Sequence, residues 1–244
     1  MKISGLTVAI LLIFIGAQHS EAQKKVMHQD LLWARHYLKI QIDKRYIFRH
    51  EIEERVFFKN LRQHQFMTRA FIDRSIGKGW NSALGFAYFL QASPEDPGIE
   101  KYITQTELRP IFEFGNRQIL SSKIIIDHRY WTEFRFFEKD DRSYSFRNLR
   151  FRYRLEMRYQ LSDLFIIRVL DELHFNAGGK STISIFDQNR IGFAIQFYPM
   201  TNFGFELAYI NWYQQQSIPE NFYNRNIIRF TVFLHLNAKS RTDD

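Results

Sequence analysis

Three groups of residues in this 244-residue chain have types and spacings that could do chemistry. In the first, Glu172 and His174 stand two residues apart, so on a strand they share a face, with Asp171 on the opposite face and Asn176 further along. A carboxylate beside an imidazole can hold a metal or act as an acid/base pair. A polar strand end near a rim, with local hydrogen bonds, is the favoured reading, because spacing places no second histidine nearby. In the second, Asp187-Gln188-Asn189-Arg190 could bind a ligand at the mouth of a cavity. The structural reading, again favoured, has it capping strand ends and pairing Arg190 with Glu172 on the neighbouring strand. The third is a set of serines, Ser82, Ser143, Ser162 and Ser184, with His50 and His64 far from them in sequence. None lies in a Gly-x-Ser-x-Gly setting, although a triad is defined by geometry and not by order. No catalytic residue, metal ligand or cofactor is assigned on this basis.

The elements that must position these residues are strands. From Asn148 to Tyr159 every even position is polar (Asn148, Arg150, Arg152, Arg154, Glu156, Arg158) and every odd position is apolar or aromatic. A strand separates such a pattern onto two faces; a helix, turning about 100° per residue, would mix them. The alternation recurs in 32–43, 45–58, 80–91, 101–114, 122–137, 163–176, 185–198, 202–214 and 223–237, and more weakly in 62–74. It places Glu107, Arg109, Arg129, Glu133, Arg135, Arg168, Glu172, Arg190, Glu206 and Arg229 on the polar faces. Tight connections are read at Gly115-Asn116, Ser162-Asp163 and Pro199-Met200, and longer ones around 92–100, 138–146, 177–183 and 214–222. Short turns on one side and long loops on the other characterise membrane β-barrels. Eleven segments are clear. Residues 24–30 are read as one more strand, because bacterial single-chain barrels have even strand numbers. The expected fold is therefore all-β, a single antiparallel transmembrane barrel of about 12 strands, with 10 as the alternative.

Composition agrees. Lys2 precedes an apolar run from Ile3 to Ile15, and Ser20-Glu21-Ala22 has the form of a cleavage site. Residues 1–22 are read as a secretory signal peptide, 23–237 as the barrel and 238–244 as a polar tail. The absence of cysteine excludes a lipidated N-terminus and any disulfide. The net charge of +8 could suggest nucleic acid, but the arginines are spread through strands beside acidic residues, no binding motif stands out and the chain reads as exported. Nucleic acid is not an expected partner. Aromatics make up 17% of the chain. Among them Tyr102, Trp80, Trp131 and Trp212 are read as belt or rim residues at a membrane interface.

The charged face should look inward. An arginine on the lipid face near the midplane costs about 2–4 kcal/mol, so Arg150, Arg152, Arg154 and Arg158 together would cost on the order of a whole domain's stability. The expected lumen lining is the set of arginines and glutamates named above. It could pass small anions, because arginine outnumbers glutamate on several faces. The weightier reading is a salt-bridge network that fills and rigidifies a narrow barrel. Two further readings stay open: an outer-membrane enzyme acting on lipid or envelope substrates, and a soluble periplasmic β-protein that binds a ligand.

Several stretches carry a family resemblance: Arg129-x-x-x-Glu133-x-Arg135-Phe136, Phe151-Arg152-Tyr153-Arg154-Leu155-Glu156-x-Arg158, Asp171-Glu172-Leu173-x-Phe175-Asn176, Phe186-Asp187-Gln188-Asn189-Arg190, Gly204-Phe205-Glu206-Leu207-Ala208-Tyr209, and Asn226. Together they resemble the domain-of-unknown-function family 2490 over about 31–237, the Asp-Glu-Leu-x-Phe-Asn and Asp-Gln-Asn-Arg pieces being the most specific. The resemblance implies a β-barrel in the outer membrane of a Gram-negative cell and no established activity. Outer-membrane lipid and, during insertion, the barrel-assembly machinery would be its partners; the sequence does not set an oligomeric state. The chain departs from the usual barrel end, since Leu236 precedes a charged tail where a terminal aromatic is expected.

Overall fold

The computed structural model describes residues 24–179 and 184–238. The expected signal peptide and nearly all of the expected polar tail lie outside the described residues. Eleven strands close into one barrel: β1 (Lys25–Gln41), β2 (Tyr46–Phe57), β3 (Gln63–Gly77), β4 (Trp80–Ser93), β5 (Ile103–Ile119), β6 (Ile124–Glu138), β7 (Tyr144–Gln160), β8 (Phe165–Ala177), β9 (Phe186–Met200), β10 (Phe203–Gln215) and β11 (Asn221–Asn237). Neighbours in sequence pair antiparallel, and the barrel closes by a parallel pairing of β1 with β11, from Lys25↔Asn221 to Gln41↔Asn237.

The count is eleven, neither twelve nor ten. Residues 24–30 do not form a separate strand; they are the first part of β1. No turn interrupts the chain at Asp30, and Gln29, Leu31 and Trp33 keep one buried parity through that point. With an odd number of strands, the first and last must run the same way. The evenly spaced bonds of a parallel ladder close the seam.

Connections divide by end. Those at 42–45, 78–79, 120–123, 161–164 and 201–202 have two to four residues; those at 58–62, 94–102, 139–143, 178–185 and 216–220 have five to nine. Gly115-Asn116 is not a turn but lies within β5. Its lack of a side chain leaves room for a neighbour: a Cβ on Gly115 would meet the end of the Asn81 side chain of β4. Pro199-Met200 likewise ends β9, with the turn following it.

The two faces differ sharply. Large apolar side chains are exposed around the outside, with Leu84 at 68% and Leu207 at 60% accessibility. The buried residues point into the barrel, and many are charged. Two apolar clusters interrupt that charge. One joins Met67, Phe71, Phe89, Ile111 and Trp131; the other joins Leu31, Trp33, Phe57, Ile210, Trp212 and Ile227.

Candidate functional site in the barrel interior

Strand parity sends the polar faces inward, and register then decides which charges meet. Glu133 on β6 sits directly opposite Arg150 on β7, and Trp131 opposite Arg152. Glu133 accepts from Arg152 Nη1 at 2.7 Å and from Arg109 Nη1 at 3.4 Å, with Arg150 3.9 Å away. Glu107 holds Arg109 at 2.6 Å and Arg135 at 2.5 Å. Glu172 receives Arg152 at 2.9 Å and also Arg129. These eight charged residues form one connected network across β5 to β8.

A second network lies nearer the short-turn end. Glu156 is bound by Arg168, with Arg154 at 3.7 Å and Arg158 at 3.9 Å. Arg168 also reaches Glu206, which takes Arg229 at 2.9 Å and Arg35 at 3.3 Å. Glu51 carries the network on to Arg35 and Arg69. Direct cross-strand neighbours here include like charges, Arg129 opposite Arg154 and Asp127 opposite Glu156. Such pairs repel, and the ion pairs Arg129–Glu172, Arg158–Asp127 and, along β7 itself, Arg154–Glu156 compensate.

Of the fifteen arginines and glutamates read from sequence as lining residues, fourteen belong to these networks. Arg190 is the exception. It stands opposite Glu172 in register, but the acceptors of Glu172 are occupied by Arg129, Arg152 and His174. The Arg190 guanidinium lies over Trp212 at 4.4 Å and faces Trp33 at 5.6 Å. The expected Arg190–Glu172 pair is thus replaced by cation–π stacking.

Tryptophan placement corrects the sequence reading further. Trp131, 2% exposed, is inside the barrel, flanked by Arg129 at 3.9 Å, Arg152 at 4.3 Å and Arg69 at 4.9 Å, and its indole N–H donates to Glu113. Trp212 is inside as well, meeting Trp33 edge to face at 5.9 Å and donating to Gln188. Only Trp80 and Tyr102 of the four aromatics read as belt residues are exposed. Parity carries the signal for the other two. Trp131 lies between Arg129 and Glu133 in the inward series, and Trp212 between Ile210 and Gln214. The same parity adds Arg35, Arg55, Arg69 and Trp33 to the interior.

Glu172 and His174 are buried among guanidiniums, not set at an open rim. His174 Nε2 lies 3.2 Å from Glu172, and Nδ1 meets Gln188 at 2.6 Å. Asp171, on the outer face, accepts from Asn189. Asp187 accepts from Arg150 and Asn176. Among the described residues no cluster of side chains could hold a metal, and no serine hydroxyl is bonded to a histidine.

Two cavities lie between the described residues of the interior. A chamber of about 90 Å³ lies among the arginines; its lining carries eleven arginines against three glutamates, Glu53, Glu95 and Glu172. A vestibule of about 460 Å³ opens at the long-loop end. Both are lined by Gln91, Glu95, Arg135, Arg150 and Gln214, so they meet at that level. Glu95, in the β4–β5 connection, turns inward there. Its carboxylate takes Arg225 and Gln91, and its carbonyl accepts from Gln29 at 2.6 Å. Arg62 ties the same connection down by donating to the carbonyls of Pro94 at 2.7 Å and Asp96 at 3.0 Å.

A closed all-β barrel with a charged interior and an apolar outer face is the architecture of porin-like proteins. The chain belongs to the family described as "Protein of unknown function (DUF2490)", whose model matches residues 31–223. In fold it is similar to a solved structure of the NanC porin, with a TM-score of 0.51 at 10% identity, over 82% of this chain and 91% of that one. No curated protein matches the chain.

Proposed function

We propose that the protein is an outer-membrane β-barrel whose interior is a narrow, arginine-dominated passage for small anionic solutes. The observation that carries this is the vestibule leading into a chamber lined by eleven arginines and three glutamates. Rings of guanidinium favour anions and repel cations electrostatically. The chamber's small volume limits passage to small solutes. The membrane setting is supported by the exposed apolar belt, which includes Leu84, Phe86, Phe112, Phe193, Leu207 and Phe230, since water-facing surfaces seldom carry so large an apolar area. Strands of 12 to 17 residues exceed the roughly 9–11 needed to cross a bilayer obliquely. The similarity to a porin fold is consistent with both parts of the reading.

Planar-bilayer recording of the purified barrel tests it. The expected result is a small conductance with a reversal potential displaced toward the anion's equilibrium potential under a salt gradient. A folded, heat-modifiable barrel that conducts nothing would overturn the passage and leave a structural barrel. Recovery of the protein from the soluble periplasm would overturn the membrane assignment.

A further inference from the structure

Several side chains around the chamber carry a nitrogen without a hydrogen-bond partner. Among the described residues, every buried side-chain polar atom without a hydrogen-bond partner is a nitrogen except Asp187 Oδ2, and that oxygen lies 3.1 Å from Arg150. Several of these nitrogens belong to chamber-lining residues, including Trp33 Nε1 and the Nε atoms of Arg154, Arg190 and Arg229. Leaving a buried donor unmet is costly, and a charged one more so. These nitrogens carry almost no accessible surface, so the charge balance of the lining, and not the unmet donors, is what points to a ligand. Arg190 has no carboxylate within ion-pairing distance among the described residues, and Arg154 has only Glu156 at 3.7 Å. Both line the chamber, where a concentration of one sign of charge attracts a counter-ion.

We propose that this chamber is a binding site for a single small oxyanion of the phosphate or sulfate class, with the Arg190 guanidinium as its principal ligand. The Arg190 guanidinium rests over the Trp212 ring with Trp33 nearby, and it makes no hydrogen bond or ion pair to a protein group among the described residues. A planar fork of this kind matches two oxygens of a tetrahedral anion. The Arg154 guanidinium, also on the lining, adds a second cationic donor. The chamber's volume of about 90 Å³ is well above the roughly 10–15 Å³ that one water needs, so an inorganic oxyanion has room. The proposal rests on the arginine-rich interior described above but not on conduction through it.

The test is a titration of the detergent-solubilised full chain with inorganic phosphate at constant ionic strength, read by calorimetry and by the fluorescence of the flanking tryptophans. Saturable one-site binding is expected. Arg190→Gln should weaken binding roughly tenfold to a hundredfold, the loss that follows removal of a charged hydrogen-bond partner. Arg190→Lys, which keeps the charge but not the fork, should fall between, and Arg45→Gln on an exposed turn should bind as the parent does. A response that never saturates, or unchanged affinity in a heat-modifiable Arg190→Gln or Arg190→Lys barrel, would overturn the site. Because binding is measured without a membrane, a barrel that binds phosphate but does not conduct removes the passage alone, and one that conducts without saturable binding removes the site alone.

Discussion

The guanidinium of Arg225 on the last strand grips the carboxylate of Glu95, which lies 130 residues earlier in the chain. This one contact fastens the β4–β5 connection across the barrel mouth to the strand that closes the barrel. It also sets a pH dependence. Burial alone would raise the Glu95 carboxyl, but the Arg225 guanidinium and the His64 ring outweigh it and hold it well below the ordinary carboxylate range. A depressed carboxyl contributes stability above its unfolded value of about 4.3, and that contribution is lost as pH falls through the folded value. Unfolding midpoints measured from pH 7 downward should therefore fall below about pH 4, and Glu95→Gln should flatten that part of the profile. The same substitution should widen the mouth and raise single-channel conductance; an unchanged profile and conductance would show that the contact restrains nothing.

Arg152 joins Glu133 to Glu172. Removing it leaves two buried carboxylates short of a partner, a situation that costs about 3–5 kcal/mol. Arg152→Ala should lower the urea midpoint accordingly. The double variant with Glu133→Gln should recover part of the loss, because it removes one of the abandoned charges.

Trp131 and Trp80 make opposite predictions from the same residue type. Trp131→Ala opens a hole against Phe71, 5.2 Å away, and strips three arginines of their stacking partner. A loss of about 3–5 kcal/mol is expected. Trp80→Ala on the exposed face should cost far less. Equal losses by equilibrium unfolding would contradict the inward placement of Trp131.

Gly85 is covered by the ring of Phe71 on the neighbouring strand. A Cβ there would collide with the ring and come within 2.9 Å of the Ala70 carbonyl. Phe71 is buried against Trp131 and has nowhere to move, so Gly85→Ala should cost about 1–3 kcal/mol by overpacking. Gly115→Ala meets only the end of the Asn81 side chain and should be milder. Thermal melts of the two variants compare them directly.

Much of the wall is legible in the alternation of residues, because a period of two has one physical meaning on a pleated sheet. The ladder at 148–159 forms β7 with the polar face inside. The departures are local. Gly115-Asn116 has the composition of a turn, yet the glycine serves a neighbour's side chain. Residues 24–30 are weakly patterned because their outer face carries His28 and Asp30 as well as apolar groups, which obscures their continuity with the rest of β1. Residue type points Trp131 and Trp212 toward a membrane belt, although parity places them inside. The Arg190–Glu172 pairing fails for another reason. Register makes them neighbours, but which of several arginines wins a carboxylate depends on side-chain reach across four strands, and no single-chain pattern encodes that competition.

The parallel pairing of β1 with β11 bears on how the molecule is made. Bonds such as Asn226 to Asp30 and Arg225 to Gln29 join residues 196 positions apart, so the first strand must wait, its edge unmatched, until the last has been delivered. Contacts of such separation are slow to form, since chain closure must precede any reward. For that interval the amino-terminal strand is an open template for any other extended segment. Successful folding therefore depends on something that shields this edge until the whole chain has been made.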